Sequence, residues 1–268
     1  MKRKLKPGAH LILVANDKGE SSKSAVAIEC RAAATMEQIP SRLITFDRSN
    51  DTLMQAFRGK GVHTLAKPNG DVLLATFGEH IDLARENGEL IIVDMPPTVT
   101  DGDTPLIKAL TVSEILTECD TISYLIPAKP HNDHIKGALD ALAAYSKVPI
   151  KFDRGLIRAW RPDALTWPTW EAFPAYSILT TQFPVWEVGT YMQSFADMIQ
   201  GRGAFVDFPA IDELPEFFAN KAGTMSTRER GALRAAVSHL EKARAAIKQH
   251  LFDPITEPVE KPAKSVTA

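Results

Sequence analysis

The chain has 268 residues, of which 44% are hydrophobic and 24% are charged, and its formal net charge is −2 at pH 7. This composition is typical of a globular protein and excludes a disordered or fibrous chain. Because the net charge is close to zero, any surface that binds nucleic acid must be local.

Short apolar runs alternate with helix-length segments through the first part of the chain. The predicted strands are, in chain order, residues 10–15, 42–46, 71–77, 90–93, 121–126 and 148–152. The predicted helices are residues 22–36, 104–116 and 133–145. This alternation predicts an α/β fold, with a mostly parallel twisted sheet and helices on both faces. Such sheets bind ligands at the carboxyl ends of their strands.

Residues 158–186 interrupt the alternation with several prolines and all four tryptophans. We predict an elaborated connection whose aromatic side chains pack against the sheet or the last helix, with a partner-binding surface as the alternative. A helix at 189–200 and an edge strand at 205–208 are predicted to follow.

Residues 227–251 show the clearest helical pattern, because Leu233, Leu240 and Ile247 belong to an apolar stripe with a spacing of three to four residues. Ser226 or Thr227 is a suitable N-cap. The other face is basic, and packing onto the sheet is favoured over binding to membrane or DNA.

The ends of the chain differ from its interior. We expect residues 1–252 to form one domain and residues 253–268 to be a flexible tail, because that tail is rich in Pro, Glu, Lys and Thr. The basic residues 2–6 either contact phosphate backbones or keep the end of the chain soluble.

A candidate phosphate loop follows the first predicted strand, where residues 16–24 have the sequence Asn-Asp-Lys-Gly-Glu-Ser-Ser-Lys-Ser and lead into a helix. A strand, a tight loop, Lys-Ser and a helix form the context that phosphate binding needs. Backbone N–H groups and the helix N-terminus surround an anion there. Lys23 would reach the β- and γ-phosphates, and Ser24 would coordinate magnesium.

Three acids follow later strands. Asp94 ends the run at 90–93, and its carboxylate would hold the magnesium shell through a water or Ser24. Asp47 follows the second strand and could position an attacking water. Asp153 follows the run at 148–152 and is either a contact to an exocyclic amine of the base or a solvated loop acid.

These motifs together resemble the ParA/MinD family of deviant Walker-type P-loop ATPases, over roughly residues 8 to 152. The matching residues are Lys18-Gly19-x-x-x-Lys23-Ser24, Asp47 and Asp94-Met-Pro-Pro. The resemblance implies that ATP and Mg2+ are the ligands and that Gly19, Ser21 and Ser22 belong to the cofactor loop. It also implies a switch I role for Asp47, a Walker B role for Asp94, and a signature lysine, Lys18, that reaches the partner's phosphates in an ATP-bound dimer.

The function implied by this resemblance is a nucleotide-dependent homodimeric switch in plasmid or DNA partition or in conjugative transfer. Non-specific DNA and a partner protein are the candidate partners, and stable membrane binding is not expected. The alternative is a weak or inactive adaptor on the same fold, which works through protein or DNA contacts.

The loop departs from the family pattern. Asp17, Glu20 and Ser22 stand where glycines are common, and Thr45 replaces the first acid of the second-strand motif. A residue other than glycine in a strained loop conformation costs about 1–3 kcal/mol. Two extra carboxylates would also oppose a triphosphate, so we expect a weak ATPase.

Other chemistry has little support in the sequence. The spacing of His131, Asp133 and His134 could suit a metal, although a polar loop is favoured. The two cysteines, Cys30 and Cys119, do not fit an iron–sulfur or disulfide pattern, and they agree with a reducing, cytoplasmic location. No apolar run approaches the roughly 18 residues of a membrane span.

Overall fold

The computed structural model describes residues 3–16, 18, 21–46, 52–65, 70–95, 115–145, 154–160, 170–189, 197–198 and 208–257. Within these ranges the strands form one sheet in the order β3-β2-β4-β1-β5-β6-β7. The strands are β1 (His10–Val14), β2 (Ser41–Thr45), β3 (Val62–Thr64), β4 (Leu90–Asp94), β5 (Thr121–Ala128), β6 (Arg154–Trp160) and β7 (Val185–Val188).

All neighbouring strands in this sheet are parallel, which confirms the predicted α/β class. β1 lies at the centre, between β4 and β5, and all five of its residues are buried. Such burial is expected for a parallel strand that is covered on both faces. The carboxyl ends of β1, β4 and β5 therefore meet at one edge.

Helices cover both faces of the sheet. One core cluster contains residues of α1, α2, α6 and α7, and the other contains residues of α3, α4 and α5. The helices are α1 (Lys23–Met36), α2 (Thr52–Ala56), α3 (Gly70–Asn87), α4 (Asn132–Tyr145), α5 (Pro174–Gln182), α6 (Leu214–Lys221) and α7 (Thr227–Ile247). α7 continues through a π-helical turn, Lys248–Phe252. Among the described residues, no helix combines the length and the apolarity needed to cross a membrane.

The strand predicted at 71–77 is wrong, because these residues lie in α3. Phe77, Ile81 and Ala84 are buried on one side of this helix. Their spacing of three to four residues continues beyond the apolar run that suggested a strand, and a short apolar run alone does not distinguish the two structures.

The segment 158–186 is more regular than predicted. It contains the end of β6, the helix α5 and the beginning of β7. The expected packing of its aromatic residues is observed for Trp170, which is buried and stacks on Tyr176 with ring centroids 4.3 Å apart. Trp186 packs against the core cluster of α1 and α7.

Several predicted elements fall wholly or mostly outside the described residues, namely those at 104–116, 148–152, 189–200 and 205–208. At the end of the first of them, a short 3-10 helix spans Ile115–Glu118. The short elements α2, β3 and α6 were not predicted from the sequence.

The first residues of the expected tail are part of the fold. Leu5 forms an antiparallel bridge with Thr256, and the backbone N–H of Lys6 donates to Ile255 O at 2.9 Å. Arg3 contacts Asp253 and Glu37 at 2.5 and 2.9 Å. The prediction of a tail that begins at 253 is therefore wrong for 253–257, and the basic segment is engaged by acids of its own chain. Residues 258–268 lie outside the described ranges.

Candidate functional site

The loop between β1 and α1 lies at the carboxyl edge of the central strand. Lys18, Ser21 and Ser22 of this loop are described, whereas Asp17, Gly19 and Glu20 lie outside the described residues. α1 begins at Lys23, directly after the loop. The predicted order of strand, loop and helix is therefore present.

The ammonium group of Lys23 is turned into the loop. Its Nζ donates to Lys18 O at 2.9 Å and to Ser21 Oγ at 3.3 Å, and the residue is buried. A cation surrounded by loop oxygens in this way can exchange those oxygens for the oxygens of a phosphate group.

A hydroxyl and a carboxylate meet beside this lysine. Ser24 Oγ donates to Asp94 Oδ2 at 2.8 Å, and Asp94 is only 3% exposed. The pairing of Val14 with Asp94 in the sheet register explains the contact, since it places the end of β4 next to the end of β1. Hydroxyl and carboxylate oxygens are ligands that suit Mg2+.

Ser22 has a left-handed backbone, with φ 71° and ψ 26°, and its side chain makes no capping hydrogen bond. Glycine adopts this conformation freely, whereas other residues pay about 1–2 kcal/mol. In the family pattern, glycine occupies this position directly before the lysine. The left-handed backbone of Ser22 is therefore the source of the strain that was expected there.

Asn16 is a site residue that the sequence analysis missed. Its side chain is fully buried, with Nδ2 donating to Pro127 O at 2.8 Å and to His134 O at 3.0 Å. Its Oδ1 accepts from the backbone N–H of Lys18 at 2.9 Å. The only sequence signal was its place at the end of a buried strand, which did not show these contacts.

Lys18 lies at the boundary between the loop and α4. Its Nζ is 3.5 Å from Asp133 Oδ2, and both side chains are about half exposed. A depression of about 300 Å³ opens here, lined by Lys18, Asp133, Lys136, Gly137 and Asp140. The Lys18 ammonium thus contacts a carboxylate of its own chain.

His131 and His134, whose spacing could suit a metal, lie at the start of α4. The rings of His131 and His134 meet edge to face, with centroids 5.8 Å apart. Among the described residues, no group of three His, Cys, Asp or Glu side chains could hold a metal ion. Burial, followed by the nearby positive charge of Lys129, lowers the pKa of His134 to about 4, so its ring is neutral at pH 7.

The structure brings together six of the predicted site residues: Lys18, Ser21, Ser22, Lys23, Ser24 and Asp94. The other three, Gly19, Asp47 and Asp153, lie outside the described residues. Burial raises the pKa of the fully buried Cys30 and raises that of the partly buried Cys119 to about 12, so both thiols are protonated at pH 7.

Comparison with known proteins gives structural likeness without close sequence similarity. No protein-family model matches the chain, and no curated protein resembles it closely enough to be matched. Among solved structures, pNOB8 ParA shares 13% identity and a TM-score of 0.56, covering 90% of this chain and 99% of its own. MinD in the MinC:MinD cell division complex of Aquifex aeolicus shares 11% identity and a TM-score of 0.55, covering 94% and 99%. The cell division ATPase MinD of Pyrococcus furiosus shares 12% identity and a TM-score of 0.54, covering 90% and 99%.

Proposed function

We propose that this chain, which has the ParA/MinD-like P-loop ATPase fold, binds ATP with Mg2+ and acts as a nucleotide-dependent homodimeric switch. The observation that carries the proposal is the 2.8 Å hydrogen bond from Ser24 to Asp94 beside the buried ammonium of Lys23. A hydroxyl, a carboxylate and a cation at the start of one helix are the groups that a magnesium–triphosphate complex requires.

The residues present fit both ligands. Ser24 and Asp94 supply oxygen ligands for Mg2+, which when bound neutralises charge on the phosphate oxygens. Lys23 would exchange its contacts to Lys18 O and Ser21 Oγ for phosphate oxygens. The backbone N–H groups at the start of α1 would donate to the same anion.

Three further roles belong to this proposal. Gly19 would let the loop pass close to the phosphates, Asp47 would position the attacking water, and Asp153 would accept from the base. In the proposed dimer, Lys18 would also leave Asp133 and contact the phosphates bound by the partner. The left-handed backbone of Ser22 and the acids Asp17 and Glu20 favour slow hydrolysis.

The biological process that we propose is plasmid or DNA partition, or conjugative transfer, in the cytoplasm. A partner protein is included because one structural neighbour, MinD, is in complex with MinC. Non-specific DNA is included because Arg228, Arg234 and Lys242 lie exposed on α7. Such a surface attracts phosphate backbones whatever their base sequence.

Titration with fluorescent ATP and Mg2+ tests the proposal. We expect saturable binding by the native protein and at least about tenfold weaker binding by Lys23→Ala, which loses a charge-assisted phosphate contact. Lys60→Ala is the matched control, because Lys60 is exposed and paired with Glu213 at 2.6 Å. The molecular mass in solution should rise with ATP in the native protein and in the control only. No binding at millimolar nucleotide would contradict the proposal.

The alternative function is an adaptor that no longer needs nucleotide, and the strained Ser22 is the observation that favours it. The adaptor would keep its partner contacts in Lys23→Ala. In the ATPase, by contrast, the double substitution Glu20→Gly and Ser22→Gly should raise the rate of hydrolysis, because it restores the glycines of the loop.

A further inference from the structure

We infer that Asn16 and Gly137 form a brace that positions the phosphate loop from the side of α4. The buried amide of Asn16 connects three parts of the chain: Lys18 in the loop, Pro127 at the end of β5 and His134 in the first turn of α4. The effect of this brace on nucleotide binding rests on the function proposed above. The brace itself is a property of the protein without nucleotide.

The hydrogen bonds of Asn16 fix the orientation of its amide. The nitrogen faces two carbonyl oxygens, Pro127 O and His134 O, while the oxygen faces the N–H of Lys18. A flipped amide would bring like groups together at all three contacts, so a single orientation satisfies them. Because Asn16 is fully buried, water cannot replace a lost partner.

Lys18 connects Asn16 to Lys23, the lysine that is proposed to bind phosphate. Its N–H is held by Asn16 Oδ1 at 2.9 Å, and the carbonyl of the same residue accepts from Lys23 Nζ at 2.9 Å. Asn16 therefore holds the loop backbone at Lys18 in place before Lys23 exchanges the Lys18 carbonyl for phosphate oxygens. Such preorganisation lowers the cost of ordering the loop around an anion.

Gly137 provides the other half of the brace. A Cβ atom at this position would lie 2.7 Å from Asn16 Oδ1 and 2.9 Å from the backbone nitrogen of Lys18. Side-chain rotation cannot relieve the contact with a backbone atom. The helix α4 and the loop can therefore be in direct contact only because residue 137 has no side chain. This contact explains why glycine, which is unfavourable inside a helix, occupies the position.

Amide hydrogen exchange at Lys18, measured by NMR without nucleotide, tests the brace directly. We expect the Lys18 N–H to exchange at least about tenfold faster in Asn16→Ala and in Gly137→Ala than in the native protein. The matched control is Gly231→Ala, also in a helix, where a Cβ would meet nothing within 4 Å. Exchange at Lys18 should not change in that control.

The affinity for MgATP provides the functional measurement on the same proteins. We expect binding about tenfold weaker in Asn16→Ala and in Gly137→Ala, and unchanged in Gly231→Ala, with Lys23 and Ser24 intact in all three. Thermal unfolding of each variant identifies any that do not fold. If Asn16→Ala does not fold, Gly137→Ala alone decides.

The two hypotheses fail in different ways. Native exchange at Lys18 in Gly137→Ala, together with native affinity, would overturn the brace and leave the proposed function standing. A native protein that binds no nucleotide would overturn the proposed function, whereas faster Lys18 exchange in both variants would still support the brace.

Discussion

The helices α1 and α7 both begin directly after a serine, and the two serines behave in opposite ways. Ser226 has an extended backbone, and its Oγ accepts from Glu229 N at 3.3 Å while the Glu229 carboxylate accepts from Ser226 N at 3.0 Å. Ser22 is left-handed and makes no capping bond. Local sequence therefore explains how α7 begins, but it does not explain how α1 begins.

The difference shows where the fold maintains an unfavourable conformation. A capping box stabilises a helix through local hydrogen bonds, so the first turn of α7 does not depend on contacts from elsewhere in the fold. A left-handed serine raises the free energy, and contacts elsewhere must hold it. Among the described contacts, Lys23 donates to Lys18 O and to Ser21 Oγ, which fixes the loop on both sides of Ser22. Strain of this kind is concentrated at functional sites.

The largest effect is expected when the contact between α1 and α7 is broken. Glu29 of α1 is fully buried and accepts from both Nε and Nη2 of Arg158, at 3.2 and 2.9 Å. It also lies 2.8 Å from His239 Nε2 of α7. In Glu29→Ala the buried guanidinium loses these bonds, and we expect the free energy of unfolding to fall by about 3–5 kcal/mol in urea titrations. Glu241→Ala, at an exposed site on α7, is the control, and a loss below about 1 kcal/mol in Glu29→Ala would refute this account.

Removing the cap of α7 should have a smaller effect. We expect Ser226→Ala to lower the free energy of unfolding by about 1 kcal/mol, because the N–H of Glu229 loses its acceptor. Ser22→Ala removes no capping bond and should leave stability within about 0.5 kcal/mol. Equal losses in the two variants, measured by the same urea titration, would remove the contrast between the serines.

Relieving the strain of α1 should act in the opposite direction. We expect Ser22→Gly to raise the free energy of unfolding by about 1 kcal/mol, because glycine adopts a φ of 71° without strain. The matched change at the capped helix, Ser226→Gly, should lower it by a few tenths of a kcal/mol. Destabilisation by Ser22→Gly would mean that the serine side chain has a role that outweighs its backbone strain.

The loop side of the molecule also has a titrating group. Burial, followed by Lys129, His131 and Lys18, lowers the pKa of His134 to about 4, while Asp133 acts in the other direction. The unfolded chain binds this proton near pH 6.5. Unfolding therefore takes up a proton between about pH 6.5 and pH 4, and stability decreases as the pH falls through this window.

Solvent screens this pH dependence, because the His134 side chain is only partly buried. We expect the melting temperature to fall less between pH 7 and pH 5 in His134→Asn than in the native protein. His80 of α3, which contacts Arg42 of β2, also has a pKa lowered to about 4 by burial, so His80→Asn serves as the comparison. Both substitutions should flatten the stability profile, but only His134→Asn should alter the pH dependence of nucleotide binding. An unchanged melting profile in His134→Asn would contradict the pKa assignment.

The central strands could be predicted from the sequence, because burial alone determines their pattern of apolar residues. β1, β4 and β5 are covered on both faces, so each is mostly apolar, although Ser123 interrupts β5. Lys23, Ser24 and Asp94 could be assigned to one edge, because parallel strands bring their carboxyl ends together.

The remainder depends on contacts between distant residues. β6 contains Arg154, Gly155 and Arg158, which interrupt its apolar pattern, and the guanidinium of Arg158 is accommodated by Glu29 from a helix far away in the chain. Asn16 and Gly137 are also unremarkable locally. Their importance arises only where the loop and α4 meet, which no local pattern describes.

The central position of β1 has a consequence for how the protein is made. This strand is synthesised before both of its partners, which begin at Leu90 and Thr121. At typical elongation rates of 5–20 residues per second, the apolar segment waits roughly 6–25 s for both neighbours. During that interval the nascent chain exposes an unpaired strand with aggregation potential. Lower growth temperatures weaken hydrophobic association, and added chaperones cover exposed apolar segments. Both should therefore increase the yield of folded protein.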